Sequence, residues 1–197
     1  GIEVIDATCP FVTKPQNIAE KMSNEGYEIV IFGDINHPEV RGVMSYSTKP
    51  VHVVLSQEEL AGAKLPQKVA VISQTTKKIE EFMTIVTHLM QRVKEVRVFN
   101  TICNATLENQ EAVRELASKA DVMVIVGGKN SSNTKQLYLI AKNLCKDSYL
   151  IESQNELNSE WFKDKKICGV SAGASTPEWV IQNVIKELEN IDKICNS

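Results

Sequence analysis

Ile29-Val30-Ile31-Phe32-Gly33 is a run of β-branched and aromatic residues stopped by a glycine, and it returns as Val124-Ile125-Val126-Gly127, with the two glycines 94 residues apart. Apolar runs this short, closed by turn residues, read as strands buried on both faces. The same spacing relates Asp6-Ala7-Thr8-Cys9 to Asn100-Thr101-Ile102-Cys103, whose cysteines also stand 94 apart. Val71-Ile72-Ser73-Gln74-Thr75 and Gly169-Val170-Ser171-Ala172-Gly173 form a looser third pair, offset by about 98. Repetition at this period points to two copies of one supersecondary plan rather than a solenoid.

Outward from these runs, strand-like segments at 27–32, 51–55, 68–73, 121–126, 148–151 and 166–170 alternate with amphipathic stretches. The clearest helix lies over 77–93, where Ile79, Phe82, Met83, Val86 and Met90 share one face at helical spacing. The alternation predicts an α/β fold of two similar units, 1–98 and 99–197, each a parallel sheet flanked by helices. Gly1 is followed at once by Ile2-Glu3-Val4-Ile5, which reads as a strand already under way, so the chain is expected to lack an N-terminal part.

Composition narrows the classes of function. The chain has 197 residues, 43% of them hydrophobic, enough for a substantial core. Its 22 basic and 25 acidic residues are interspersed, which argues against a nucleic-acid surface or a polybasic membrane patch. No apolar stretch reaches the roughly 20 residues of a membrane span, and a cytoplasmic location is expected. The cysteines, Cys9, Cys103, Cys145, Cys168 and Cys195, are odd in number and form no CxxC pair. That argues against a disulfide framework and against a local zinc site, so any metal site must be assembled by the fold.

Cys9 and Cys103 each stand where a strand ends and a helix is about to begin, a setting that favours thiolate. A lone cysteine is ordinarily a small buried hydrophobe, but recurrence at equivalent turns speaks against that for this pair. Cys145, Cys168 and Cys195 have no such counterpart and read as core or surface residues. Gly33-Asp34-Ile35-Asn36-His37-Pro38-Glu39-Val40 follows a strand and sets a histidine two residues from a carboxylate. Asn36 or Asp34 as a helix cap with Pro38 in the first turn explains part of it, leaving His37 and Glu39 for a ligand oxygen and a proton. Gly127-Gly128-Lys129-Asn130-Ser131-Ser132-Asn133-Thr134 crowds glycines, hydroxyls and amides at a strand-to-helix turn, which suits an anion, although the Walker spacing is absent. Ser171-Ala172-Gly173-Ala174-Ser175-Thr176-Pro177-Glu178 repeats the idea more weakly.

Together, Asp6-Ala7-Thr8-Cys9-Pro10, His37-Pro38-Glu39-Val40, Gln74-Thr75-Thr76, Thr101-Ile102-Cys103, Asn130-Ser131-Ser132-Asn133 and Ala172-Gly173-Ala174-Ser175 resemble the 4-hydroxy-3-methylbut-2-enyl diphosphate reductases in order and spacing. The resemblance covers essentially the whole chain and matches the second and third of that family's three α/β units, which surround a central cleft. It implies a [4Fe–4S] cluster held by one cysteine from each unit, with Cys9 and Cys103 as two of the ligands and the third in an absent first unit. It further implies that His37, Ser131, Ser132, Asn133 and Ser175 contact substrate and diphosphate, that Thr75 hydrogen-bonds near the substrate hydroxyl, and that Glu39 is the proton source. The implied reaction is reductive removal of the allylic hydroxyl, giving isopentenyl and dimethylallyl diphosphate. A ferredoxin or flavodoxin type protein would be the electron donor, and the chain alone would be inactive. The rival readings are a non-catalytic phosphate-binding α/β module and, less well supported, a dithiol redox protein.

Overall fold

The computed structural model describes residues 9–195. The strand expected at Ile2-Glu3-Val4-Ile5 and the Asp6-Ala7-Thr8 part of the first cysteine motif lie outside the described residues. The chain divides into two compact units, Gly1–Cys103 and Asn104–Ser197. The boundary expected at 98/99 falls later because the residues after Val98 bond back to the first unit: Phe99 N–H donates to Val71 O at 2.9 Å and Cys103 N–H to Thr75 O at 3.0 Å. Both candidate thiols therefore belong to one unit.

In the first unit, α1 (Pro10–Asn24) leads into β1 (Glu28–Phe32), α2 (Pro38–Met44), β2 (Val51–Val54), β3 (Lys68–Ser73), α3 (Ile79–Met90) and β4 (Glu95–Val98). The four strands are all parallel, in the order β2-β1-β3-β4. Alternation along the central strands sends side chains to both faces. Ile29 and Ile31 of β1, with Ala70 and Ile72 of β3, join Ala19 and Met22 of α1 and Val40 and Val43 of α2 in one core cluster. Phe32 points the other way and stacks on Phe82 of α3, with ring centroids 6.4 Å apart. Sequence alone predicts 77–93 as the helix, but Lys77 N–H closes a turn onto Gln74 O at 3.2 Å, so the helix starts at Ile79. β4 carries no strand signal in the sequence because Glu95 and Arg97 break its apolar run at an edge, where charge is tolerated.

The second unit runs α4 (Asn104–Ala117), β5 (Val122–Val126), α5 (Ser132–Leu144), β6 (Ser148–Ile151), β7 (Cys168–Ala172) and α6 (Glu178–Cys195), with short 3₁₀ turns between β6 and β7. Its parallel sheet has the order β6-β5-β7, the same plan as β2-β1-β3. Met123 and Ile125 face α4 and α5, while Val124 and Val126 face Val180 and Val184 of α6. β7 begins two residues later than the expected 166–170 because Asp121 Oδ2 takes the N–H groups of Lys166 and Ile167, at 2.9 and 3.0 Å, before the ladder starts.

In such sheets, ligands bind beyond the carboxyl ends of the strands, where the strand order reverses. Those positions are the loops after β1 and β3 in one unit and after β5 and β7 in the other. No helix among the described residues is long and apolar enough to cross a membrane.

Candidate active site

The loop after β1 turns sharply because Gly33 is hemmed in. A Cβ there would lie 2.7 Å from Val40 Cγ2 and 3.1 Å from Gln74 Cβ. Asp34 N–H donates to Gln74 Oε1 at 3.1 Å, tying this loop to the one after β3, and Asp34 Oδ1 accepts from Asn36 N–H at 2.9 Å. The cap of α2 is neither Asp34 nor Asn36, the residues a sequence reading would choose. It is His37, whose Nδ1 accepts from Glu39 N–H at 3.3 Å, with Pro38 in the first turn. Accepting at Nδ1 places the ring proton on Nε2, so His37 presents an N–H donor.

Glu39, in the first turn of α2, meets Thr75 across the sheet edge. Thr75 N–H donates to Glu39 Oε1 and Thr75 O–H to Glu39 Oε2, both at 2.7 Å. Thr75 is buried, and its carbonyl accepts from Cys103 N–H at 3.0 Å. A continuous set of bonds thus runs from the turn of Cys103 through Thr75 and Glu39 to His37. Three stretches far apart in the chain, 37–39, 75 and 103, are brought together, and the fold joins four of the predicted site residues in one unit.

Cys9 precedes α1 and takes the capping position without a side-chain cap bond. Its exposed thiol contrasts with its carbonyl, which accepts from Val12 N–H at 2.8 Å and Thr13 N–H at 3.1 Å. Cys103 sits at the start of α4 and is partly exposed. Among the described residues, no group of three or more His, Cys, Asp or Glu side chains is placed to hold a metal ion. The thiols suit a soft metal in kind, but the chain's described residues fall short of a full ligand set.

In the second unit Ser131 caps α5, its Oγ accepting from Thr134 N–H at 3.3 Å. Ser132 opens the helix and Asn133 follows it into the interior. Asn133 is 7% exposed, yet neither its Nδ2 nor its Oδ1 has a hydrogen-bond partner, and the fully buried Thr134 hydroxyl is also unpartnered. An unsatisfied buried amide is costly, so the start of this helix holds unmet hydrogen-bonding capacity that a polar ligand could take up. Gly127, at φ +148°, and Gly173 close over Thr134: a Cβ on Gly127 would stand 2.9 Å from Thr134 Oγ1, and one on Gly173 would overlap it. Ser175 lies exposed in the turn after β7.

Not all of the glycine-rich loop is open to an anion. Lys129 N–H is taken by Glu152 Oε1 at 2.8 Å, and its ammonium pairs with Glu156 Oε2 at 2.5 Å. That hydrogen bond raises the Lys129 pKa and lowers that of Glu156. Ligand recognition here would therefore fall to neutral donors. Lys77 is another residue sequence reasoning did not single out. It is buried with its ammonium 5.2 Å over the Phe32 ring, and burial holds its pKa below the usual lysine range.

Two other concavities lie away from these residues. One of about 600 Å³ runs along α1 beside Phe99, and one of about 1160 Å³ lies between Phe162 and Leu188. Neither is lined by a candidate residue, and neither gathers the buried polar groups that chemistry needs.

Residues 1–189 match the family described as LytB protein. The 4-hydroxy-3-methylbut-2-enyl diphosphate reductase of Campylobacter fetus subsp. fetus (strain 82-40) is 78% identical over 190 residues, covering 96% of this chain and 68% of that protein. The reductase of Campylobacter curvus (strain 525.92) is 68% identical over 188 residues, covering 95% of this chain and 69% of that one. A solved (E)-4-hydroxy-3-methyl-but-2-enyl diphosphate reductase, the terminal enzyme of the non-mevalonate pathway, superposes with a TM-score of 0.63 at 44% identity, covering 95% of this chain and 68% of the other. The Plasmodium falciparum E-1-hydroxy-2-methyl-but-2-enyl-4-diphosphate reductase gives a TM-score of 0.88 at 28% identity, covering 94% and 60%.

Proposed function

The chain belongs to the LytB protein family, and from that premise we propose that it carries part of the active site of a 4-hydroxy-3-methylbut-2-enyl diphosphate reductase, with units Gly1–Cys103 and Asn104–Ser197 as the family's second and third units. The observation that carries this reading is the bonded set Cys103, Thr75, Glu39 and His37, which joins a metal-ligating residue type to an acid-base pair.

Cys9 and Cys103 would supply two thiolates to a [4Fe–4S] cluster. The third is proposed to belong to the part of the protein this chain does not span, since it covers 68% of the Campylobacter fetus relative. Such a cluster, bound by three cysteines, supplies single electrons and a Lewis-acidic iron. The electrons would come from a ferredoxin or flavodoxin type donor.

The chain's own residues bind substrate and move protons. Ser131, Ser132 and Asn133, at the start of α5, and Ser175 would hold the diphosphate with neutral donors and the helix dipole. The orphaned Asn133 amide is the strongest support for that assignment. His37 would donate from Nε2–H to a substrate oxygen. Thr75 N–H can only donate, so Oε1 of Glu39 remains an acceptor, and a proton carried by Glu39 would sit on Oε2 with the Thr75 hydroxyl turned to accept it. From there it can pass through the Thr75 hydroxyl to the leaving group. The allylic C–O bond breaks, the hydroxyl leaves as water, and two electrons and two protons are consumed, one proton going to oxygen and one to carbon.

In full-length enzyme, Glu39→Gln should retain substrate binding and lose most turnover. Normal turnover would remove Glu39 from its role. The isolated chain should show no turnover. Pyrophosphate binding by a full-length protein that takes up no iron would favour the phosphate-binding module instead.

A further inference from the structure

Resting on the reading of Cys103 and Glu39 as site residues, we infer that Thr101 is a positioning residue, whose hydroxyl holds the cysteine turn in register with the Thr75–Glu39 pair.

β3 and β4 cease to pair as strands at Val71 and Val98, yet the two segments stay in step beyond that point. Phe99 N–H reaches Val71 O at 2.9 Å, and Cys103 N–H reaches Thr75 O at 3.0 Å. Between these rungs the backbone of residues 100–102 bends away, with Ile102 N–H turned onto Asn100 Oδ1 at 3.1 Å. Thr101 fills the missing rung with its side chain. Its Oγ1 accepts from Ser73 N–H at 2.8 Å and donates to Ser73 O at 2.5 Å, so one hydroxyl takes both main-chain groups of Ser73. Thr101 and Ser73 are 4% and 2% exposed, which leaves no room for water to take over.

The residues at 71, 73 and 75 thus meet those at 99, 101 and 103 in two-residue steps, and the central step depends on a single hydroxyl. The last step sets the Cys103 turn against Thr75, whose remaining donors fix Glu39. A shift at Thr101 would move the thiol relative to the carboxyl without altering either group. Valine has threonine's shape and lacks both bonds, whereas serine keeps them.

The test is thiol and amide reactivity of the full chain, which needs neither cluster nor substrate and so stands apart from the fate of the reductase reading. Cys9, with no bond to Thr101, is the internal control. In Thr101→Val, the rate of Cys103 alkylation by iodoacetamide relative to Cys9 should rise about tenfold, equivalent to about 1.4 kcal/mol of local opening. Thr101→Ser should restore the parent ratio. A lower melting temperature in Thr101→Val with an unchanged Cys103 to Cys9 ratio would make Thr101 a packing residue and overturn the inference. Should Thr101→Val not fold, native-state hydrogen exchange of the parent decides. The amides of Ser73, Thr75 and Cys103 should open as one unit, and independent opening of Cys103 from Ser73 would contradict the assignment.

Discussion

Substituting Glu39 separates its structural duty from its chemical one. Thr75 commits two donors to the carboxylate, N–H to Oε1 and O–H to Oε2, each at 2.7 Å. Thr75 is 7% exposed, so both donors depend on the carboxylate and lose a charged acceptor when it is removed. Hydrogen bonds to charged groups contribute about 1.5–3 kcal/mol each. Glu39 itself is only half-buried, so water can enter the space a truncation leaves, and the low end applies. Glu39→Ala, losing both bonds, should therefore destabilise the first unit by about 3 kcal/mol, lowering its urea midpoint by about 1.5 M for an m-value of about 2 kcal/mol/M. Glu39→Gln keeps an oxygen for Thr75 N–H, and the hydroxyl can rotate to accept from the new amide, so its cost should stay under about 1 kcal/mol. The assay is urea unfolding of both variants, followed by a probe in the first unit. Equal stability of the two variants would show that the Thr75–Glu39 bonds contribute nothing and would refute the reasoning.

Other consequences follow from particular groups. Asn133→Leu, which removes the unpartnered amide, should raise the stability of the ligand-free chain by about 1 kcal/mol while abolishing any thermal stabilisation by inorganic pyrophosphate. Gly173→Ala drives a Cβ into the buried Thr134 hydroxyl and should lower stability by about 1–3 kcal/mol, measured by chemical denaturation. The hydrogen bond from Tyr27, aided by the Lys68 and Arg97 charges, holds the Glu95 pKa below its ordinary 4.5. That contribution is present above pH 4.5 and lost as pH falls through the depressed value, so Tyr27→Phe should flatten the acid limb of a stability–pH curve. On the alkaline side, the same bond raises the Tyr27 pKa above 10.0, so parent stability should begin to fall above that pH, and the variant's should not.

Much of the fold is legible in the sequence because buried parallel strands need continuous apolar runs, and the paired runs ending at Gly33 and Gly127 mark β1 and β5 directly. The edge strand β4 is not legible this way, since Glu95 and Arg97 interrupt its apolar pattern. Helix caps mislead for a related reason. Serine at 131 is a conventional cap and is found as one, whereas His37 caps through a ring nitrogen, which residue preference would not select. The candidate site residues could be picked out by type, but not the way Thr75 gathers Cys103 and Glu39, because that depends on strand order and on the bend after Val98. Thr101 had no signal at all beyond its place in a motif, since nothing local distinguishes a threonine that replaces a ladder rung from one that does not.

The most direct test of the account is the iron and sulfide content of anaerobically purified full-length protein, compared between the parent and Cys103→Ser. The account predicts about four iron and four sulfide per chain in the parent, with loss of both in the variant. Full metal content and undiminished reduction of the allylic diphosphate in Cys103→Ser would contradict it.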